Sequence, residues 1–175
     1  MKIYKNKGIL FWITGLSGSG KTSIAKKLKN KIESKYGKTF LVSGDDIRNI
    51  FEFTKYSKKE RKKLSKKFNK FAKFVTDQNI NLIFAIVGMI DSMRSWNKKN
   101  IKNYLEIYIK ADLDKIIRFK KKKIYFSKKK QQIVGVNIKP EFPKNPNIII
   151  KNNFDKSIES LTKETFKKIN SVIKK

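Results

Sequence analysis

Short unbroken apolar runs alternate along this chain with longer stretches in which apolar residues return every three or four positions. Ile9 to Thr14 is the first run, bounded by Gly8 and Gly15, and its Phe and Trp content predicts a buried strand. Ile24, Ala25, Leu28 and Ile32 follow at helical spacing and predict a helix ending near Gly37. Further strands are expected at Thr39 to Val42, Asn81 to Val87, Tyr104 to Ile109 and Ile148 to Ile150. Ser57-Lys58-Lys59-Glu60 has the form of a capping box, in which serine and glutamate satisfy free N–H groups at a helix start. The helix it opens puts Leu64, Phe68, Phe71 and Val75 on one stripe and lysines elsewhere. A last helix, about Asp155 to Ile173, carries Ile158, Leu161, Ile169 and Val172. Strands alternating with helices imply an α/β fold: a five-stranded parallel sheet flanked by helices on both faces.

One stretch breaks this rhythm. Lys120 to Pro146 holds a lysine run, one glycine and three prolines with little periodicity, and a long irregular segment inside a domain is usually functional or disordered. No internal repeat or linker divides the chain, so residues 1–175 are expected to form a single domain.

Composition narrows the chemistry. The chain has no cysteine and no histidine, which excludes disulfides, thiolate catalysis, imidazole metal ligands and the commonest general base. Any proton acceptor must be a carboxylate, a lysine or water. The net charge of +30 permits two readings. One is a nucleic-acid-binding protein or polynucleotide kinase, since a basic surface releases counterions from a phosphate backbone. The other is a set of solvated helix faces that also attract anionic nucleotides. The excess is lysine rather than the better base-reading arginine, and it is spread over nearly every segment. The second reading is therefore preferred, and no specific nucleic-acid partner is expected. The N-terminal apolar run is too short for a signal peptide, and no stretch approaches the ~18 apolar residues of a bilayer span. No membrane partner and a cytoplasmic location are expected.

Residues 15 to 22, Gly-Leu-Ser-Gly-Ser-Gly-Lys-Thr, match the Walker A pattern in full, after an apolar strand and before an amphipathic helix. In that setting backbone N–H groups turn inward around the phosphates of ATP, and Lys21 bridges the β- and γ-phosphates. Thr22 supplies a hydroxyl to Mg²⁺, and the helix N-terminus adds positive potential. The expected ATP-binding set is Gly15, Ser17, Gly18, Ser19, Gly20, Lys21, Thr22 and Ser23, within a P-loop NTPase fold. A GTPase would need Asn-Lys-x-Asp, and Asn97-Lys98-Lys99-Asn100 fails at the aspartate. A large ATPase would need an acid at the end of the third strand, where Ile86-Val87-Gly88 stands. A small-molecule or nucleotide kinase remains, with Asp45 and Asp46 as nearest candidates for its magnesium carboxylate.

Beyond the loop, the chain resembles the adenylylsulfate kinase family over about residues 8 to 150. Phe11 to Thr22 looks like that family's signature, and Gly44-Asp45-x-x-Arg48 is similar to its Asp-Gly-Asp-Asn-x-Arg. Tyr56-Ser57-x-x-Glu60-Arg61 resembles Phe-Ser-x-x-Asp-Arg, and Lys122-x-x-Tyr125 resembles Lys-Gly-Leu-Tyr. Gly135 and Glu141-x-Pro143-x-Asn145-Pro146 follow in the family's order. The resemblance implies phosphorylation of a nucleotide's ribose 3′-hydroxyl, with ATP and Mg²⁺. It gives Lys21 and Asp45 catalytic roles, makes Thr22 and Asp45 metal ligands, and assigns Arg48, Tyr56, Arg61, Lys122 and Ile133 to the acceptor. It further implies a lid over about 120–146 and, by analogy, a homodimer.

The departures gather on the acceptor side. Ser43 stands at the first aspartate of Asp-Gly-Asp, and Val87-Gly88-Met89 replaces Ile-Ser-Pro. Leu64 occupies the place of an acceptor-binding asparagine, and Ile133 that of a second base-stacking phenylalanine. Core packing alone would also account for Leu64, which lies on the apolar stripe. Losing both groups leaves one ring where two would sandwich a purine, and implies a smaller or differently held base. Adenosine 5′-phosphosulfate remains the alternative acceptor.

Overall fold

The pleat of a strand sends successive side chains to opposite faces, and here it splits each apolar run between two cores. Ile9, Phe11 and Ile13 face one core, with Ile83, Leu105, Ile107, Leu28 and Leu161. Leu10 and Trp12 face the other, with Leu82, Phe84, Phe68 and Met93. Burial on both faces is why these segments read as continuous apolar runs rather than alternating ones. Phe11 and Trp12 are fully buried, and truncating either to alanine is expected to cost about 3–5 kcal/mol.

The computed structural model describes residues 1–53, 57–120, 125 and 132–173. Its strands are β1 (Ile9–Thr14), β2 (Thr39–Ser43), β3 (Asn81–Ile86), β4 (Asn103–Lys110) and β5 (Ile148–Lys151). All pairings are parallel, in the order β2-β3-β1-β4-β5. The helices lying within the described residues are α1 (Lys21–Tyr36), α2 (Gly44–Ile50), α3 (Lys58–Asp77), α4 (Asp91–Asn100), α5 (Leu113–Lys120) and α6 (Ile158–Val172). The expected five-stranded parallel sheet, covered on both faces, is the observed one. Among the described residues no helix is long and apolar enough to cross a membrane.

Element ends differ from expectation for local reasons. β3 stops at Ile86 because Gly88 has φ 52°, in the left-handed region, and turns the chain away. The last helix begins at Ile158 rather than Asp155, since Ser157 takes the cap position and accepts a hydrogen bond from Ser160 N. Ser57 likewise caps α3 by accepting from Glu60 N at 3.2 Å, while the Glu60 carboxylate lies 3.5 Å from Lys63. The complete capping box is instead at α2. There Asp46 N donates to Ser43 Oγ, and Ser43 N to Asp46 Oδ2.

At one end of the sheet, buried asparagines sew the loops to the strands. Asn81 Oδ1 accepts from Ile9 N, and Asn103 Nδ2 donates to the carbonyls of Tyr4 and Lys7. At the other end β1 and β3 finish together and β4 runs two residues further, with Thr14 in register with Ile86 and Tyr108. β1 lies between β3 and β4, so the chain's crossovers diverge at its carboxyl end. That is where open α/β sheets bind ligands.

Candidate active site

The loop leaving β1 is shaped by its glycines and tied from behind. Gly20 has φ 97° and caps α1 in a left-handed conformation that other residues adopt at a cost. A Cβ there would also approach Asn152 Nδ2 to 3.1 Å. Asn152 follows β5 and is buried, and its Nδ2 donates to the Ser19 carbonyl at 3.0 Å. Its own N–H donates to Lys110 O at 2.8 Å, so the loop is fastened to the ends of two strands. Gly15 and the buried Ser19, both in the expected ATP-binding set, do not line the cavity of about 540 Å³ that Ser17, Gly18, Gly20 and Lys21 line. Thr22 and Ser23 line it as well.

Electrostatics there favour an anion. The first N–H groups of α1 have no intrahelical acceptor, and no acidic residue lies in its first turn. Lys21 is buried and its Nζ donates to Leu16 O at 2.7 Å, which folds the side chain across the loop. Tyr125 OH donates to Ser17 O at 2.7 Å, and burial raises its phenol above the ordinary range.

Opposite the loop, α2 separates the two candidate aspartates. The Asp46 carboxylate is turned back onto Ser43 N, whereas Asp45 lines the cavity beside Arg48. Arg61 reaches the cavity from α3, and its Nη2 donates to Gln132 O at 2.8 Å. Ile133 and Leu64 line the same wall, both nearly buried. Leu64 thus has two settings at once, the apolar core of α3 and the cavity surface. Tyr56 and Lys122 lie outside the described residues.

Among the described residues, the charged groups lining the cavity are Lys21, Arg48, Arg61, Lys62 and Lys139 against Asp45 and Glu141. Five cations to two acids suit a ligand with phosphate-type charge at both ends. Among those residues no group of three histidine, cysteine or acidic side chains converges. Thr22 and Asp45 do bring two hard oxygen donors to one cavity. That set fits Mg²⁺, which is held by one or two protein oxygens together with substrate phosphates.

Two structural residues had no signal in the sequence. Asn152 is the first of two adjacent asparagines after a strand, and Arg94, buried under the β3–α4 turn, is one of 44 basic residues.

A parallel sheet in this order, a glycine-rich loop entering α1 and an anion-receptive cavity define a P-loop kinase. The chain belongs to the adenylylsulphate kinase family, whose model matches residues 7–151. It is 35% identical over 166 residues to the cytidine diphosphoramidate kinase of Campylobacter jejuni, covering 91% of this chain and 98% of that one. It is 28% identical to the adenylyl-sulfate kinase of Clostridium kluyveri, over 88% of this chain and 80% of the relative. Its fold is also that of the Mycobacterium tuberculosis APS kinase in complex with AMPPNP and APS. The TM-score is 0.82 at 22% identity, with 93% of this chain and 98% of that one covered.

Proposed function

We propose that this kinase transfers the γ-phosphoryl group of ATP to the ribose 3′-hydroxyl of cytidine diphosphoramidate, in the cytoplasmic synthesis of a capsular phosphoramidate. The observation that carries the choice of acceptor is the wall formed by Leu64 and Ile133. The family pattern would place an asparagine and a second stacking ring there. An aliphatic wall offers neither purine-edge hydrogen bonding nor a ring sandwich, and suits a smaller base. The identity to the Campylobacter jejuni kinase over nearly its whole length supports the same reading.

In this reaction the 3′-oxygen attacks the γ-phosphorus, the bond to the β–γ bridging oxygen breaks, and ADP leaves. Little covalent chemistry falls to the protein, so its work is positioning and charge stabilisation. The loop N–H groups and Lys21 hold the transferred group, and Lys21 neutralises the charge that spreads over its oxygens. Asp45 orients the acceptor hydroxyl and takes up its proton. Arg48 and Arg61 grip the acceptor's 5′ anionic group, for which a guanidinium fork is suited. Tyr56 stacks on the base and Lys122 adds charge from the lid. Thr22 and Asp45 would hold Mg²⁺, which would supply neutralising charge to the phosphates.

The test is turnover of ATP with cytidine diphosphoramidate and with adenosine 5′-phosphosulfate at matched concentrations. At least about tenfold higher kcat/KM for the cytidine compound is expected, a difference of about 1.4 kcal/mol. Preference for the adenosine compound would assign the chain to the sulfate-activating reaction. Turnover of oligonucleotide ends instead would revive the polynucleotide reading of the +30 charge.

A further inference from the structure

Behind the stretch of cavity wall formed by Val87 to Ile90 lies a buried ionic group with no part in the reaction above. Arg94, on α4, is 4% exposed, and its guanidinium makes contacts in three directions. Nη1 donates to the Gly88 carbonyl at 2.9 Å, Nη2 donates to Asp91 Oδ1 at 3.0 Å, and Nε lies 3.2 Å from Glu106 Oε1. Glu106 comes from β4, is itself buried, and stands in register with Trp12 of β1. Neither Arg94 nor Glu106 lines the cavity, but Val87, Gly88, Met89 and Ile90 do.

The turn they hold has little room to move. Gly88 is left-handed, and a Cβ on it would come within 3.2 Å of Thr14 Oγ1 and 3.3 Å of Trp12 Cζ2. Thr14 Oγ1 donates to Val87 O, and Glu141 N donates to Met89 O at 3.2 Å. The Glu141 carboxylate in turn accepts from Asp91 N at the start of α4. One short turn is therefore tied to β1, to α4 and to the segment that follows Ile133.

Burying a guanidinium and a carboxylate costs several kcal/mol per ion, and an apolar pair of similar volume often fills such a space as well. What an apolar pair lacks is direction. The rigid fork of arginine can hold a carbonyl and two carboxylates at fixed angles. We infer that Arg94, oriented by Glu106, is a positioning residue for the acceptor: it fixes the Val87–Met89 turn and thereby the wall against which the acceptor lies. The inference rests on the acceptor site assigned above.

Two variants test it. Arg94→Lys keeps the charge without the fork, and Arg94→Met with Glu106→Leu removes both charges while filling the space. The double variant is expected to melt within a few degrees of the parent. In both, the acceptor KM should rise about tenfold or more while the ATP KM changes by no more than about twofold, as misplacement of a binding wall predicts. Backbone amides of residues 88–91 and 141 should also exchange hydrogen faster than in the parent. An unchanged acceptor KM overturns the inference, as does a parallel rise of both KM values with a large fall in melting temperature. If the parent phosphorylates neither candidate acceptor, the functional proposal fails by itself. The exchange measurement then decides, and unaltered protection of 88–91 overturns the role given to Arg94.

Discussion

The two halves of the cavity are built from different materials. The phosphate half is mainly backbone: N–H groups of a glycine-shaped loop, one helix end, and Lys21 folded back onto Leu16 O. The half proposed for the acceptor is side chain, with Arg48 from α2, Arg61 and Leu64 from α3, and Ile133 from the segment before β5. A backbone site demands small residues at fixed spacing and tolerates few substitutions, so it appears as a contiguous motif. A side-chain site can exchange its groups one at a time to suit another ligand. This chain keeps the first in full and departs from the family pattern in the second.

Substitutions can break that contrast. Lys21→Ala should cut kcat at least about a hundredfold in a protein that still folds, since its charge acts on the transferred group. Circular dichroism and steady-state kinetics check this together, and near-normal turnover would leave the loop as a binding device only. Asp45→Ala should also lose about a hundredfold, while Asp46→Ala should keep turnover and lose about 1 kcal/mol of stability through the α2 cap. Parallel melts and rates compare the two aspartates, and a larger rate loss at Asp46 would reverse their roles. Arg48→Ala and Arg61→Ala should each raise the acceptor KM about tenfold, about 1.4 kcal/mol, and change the ATP KM far less. A rise confined to ATP would move this wall to the donor side. The smallest effect on ligand affinity is expected at Asn152→Ala. It removes the donor to Ser19 O and should cost about 1–3 kcal/mol of stability, with a severalfold weaker ATP affinity by titration calorimetry.

Legibility in the sequence follows the same division. The five strands were readable because two-sided burial makes them unbroken apolar runs, and α3 because its stripe and its Ser57 cap agree. The short helices were not individually readable. α4 buries Arg94 and Asn97 beside Met93, so polar residues occupy its inner face and hide the helical period. α2 has seven residues, too few for a stripe, and begins on a glycine. The glycine-rich loop was legible as a motif, and six of its eight expected ligand residues line the cavity, Gly15 and Ser19 excepted. The separation of Asp45 from Asp46 came from the resemblance, and the reciprocal cap at Ser43 supplies a physical reason for it. Asn152 and Arg94 gave no signal because their roles depend on which strand ends meet, and that is a property of the assembled sheet.

The fastening of Ser19 by Asn152 also has a consequence in time. The loop is made before every strand but its own. Its strand gains its neighbours only with residues 81–86 and 103–110, and the Ser19 carbonyl finds its donor only at residue 152. Long-range parallel pairing is slow to form because distant segments must meet first. A nascent chain on the ribosome would therefore carry an unfinished nucleotide grip until residue 152 had emerged, and full ATP affinity would come only after that late contact.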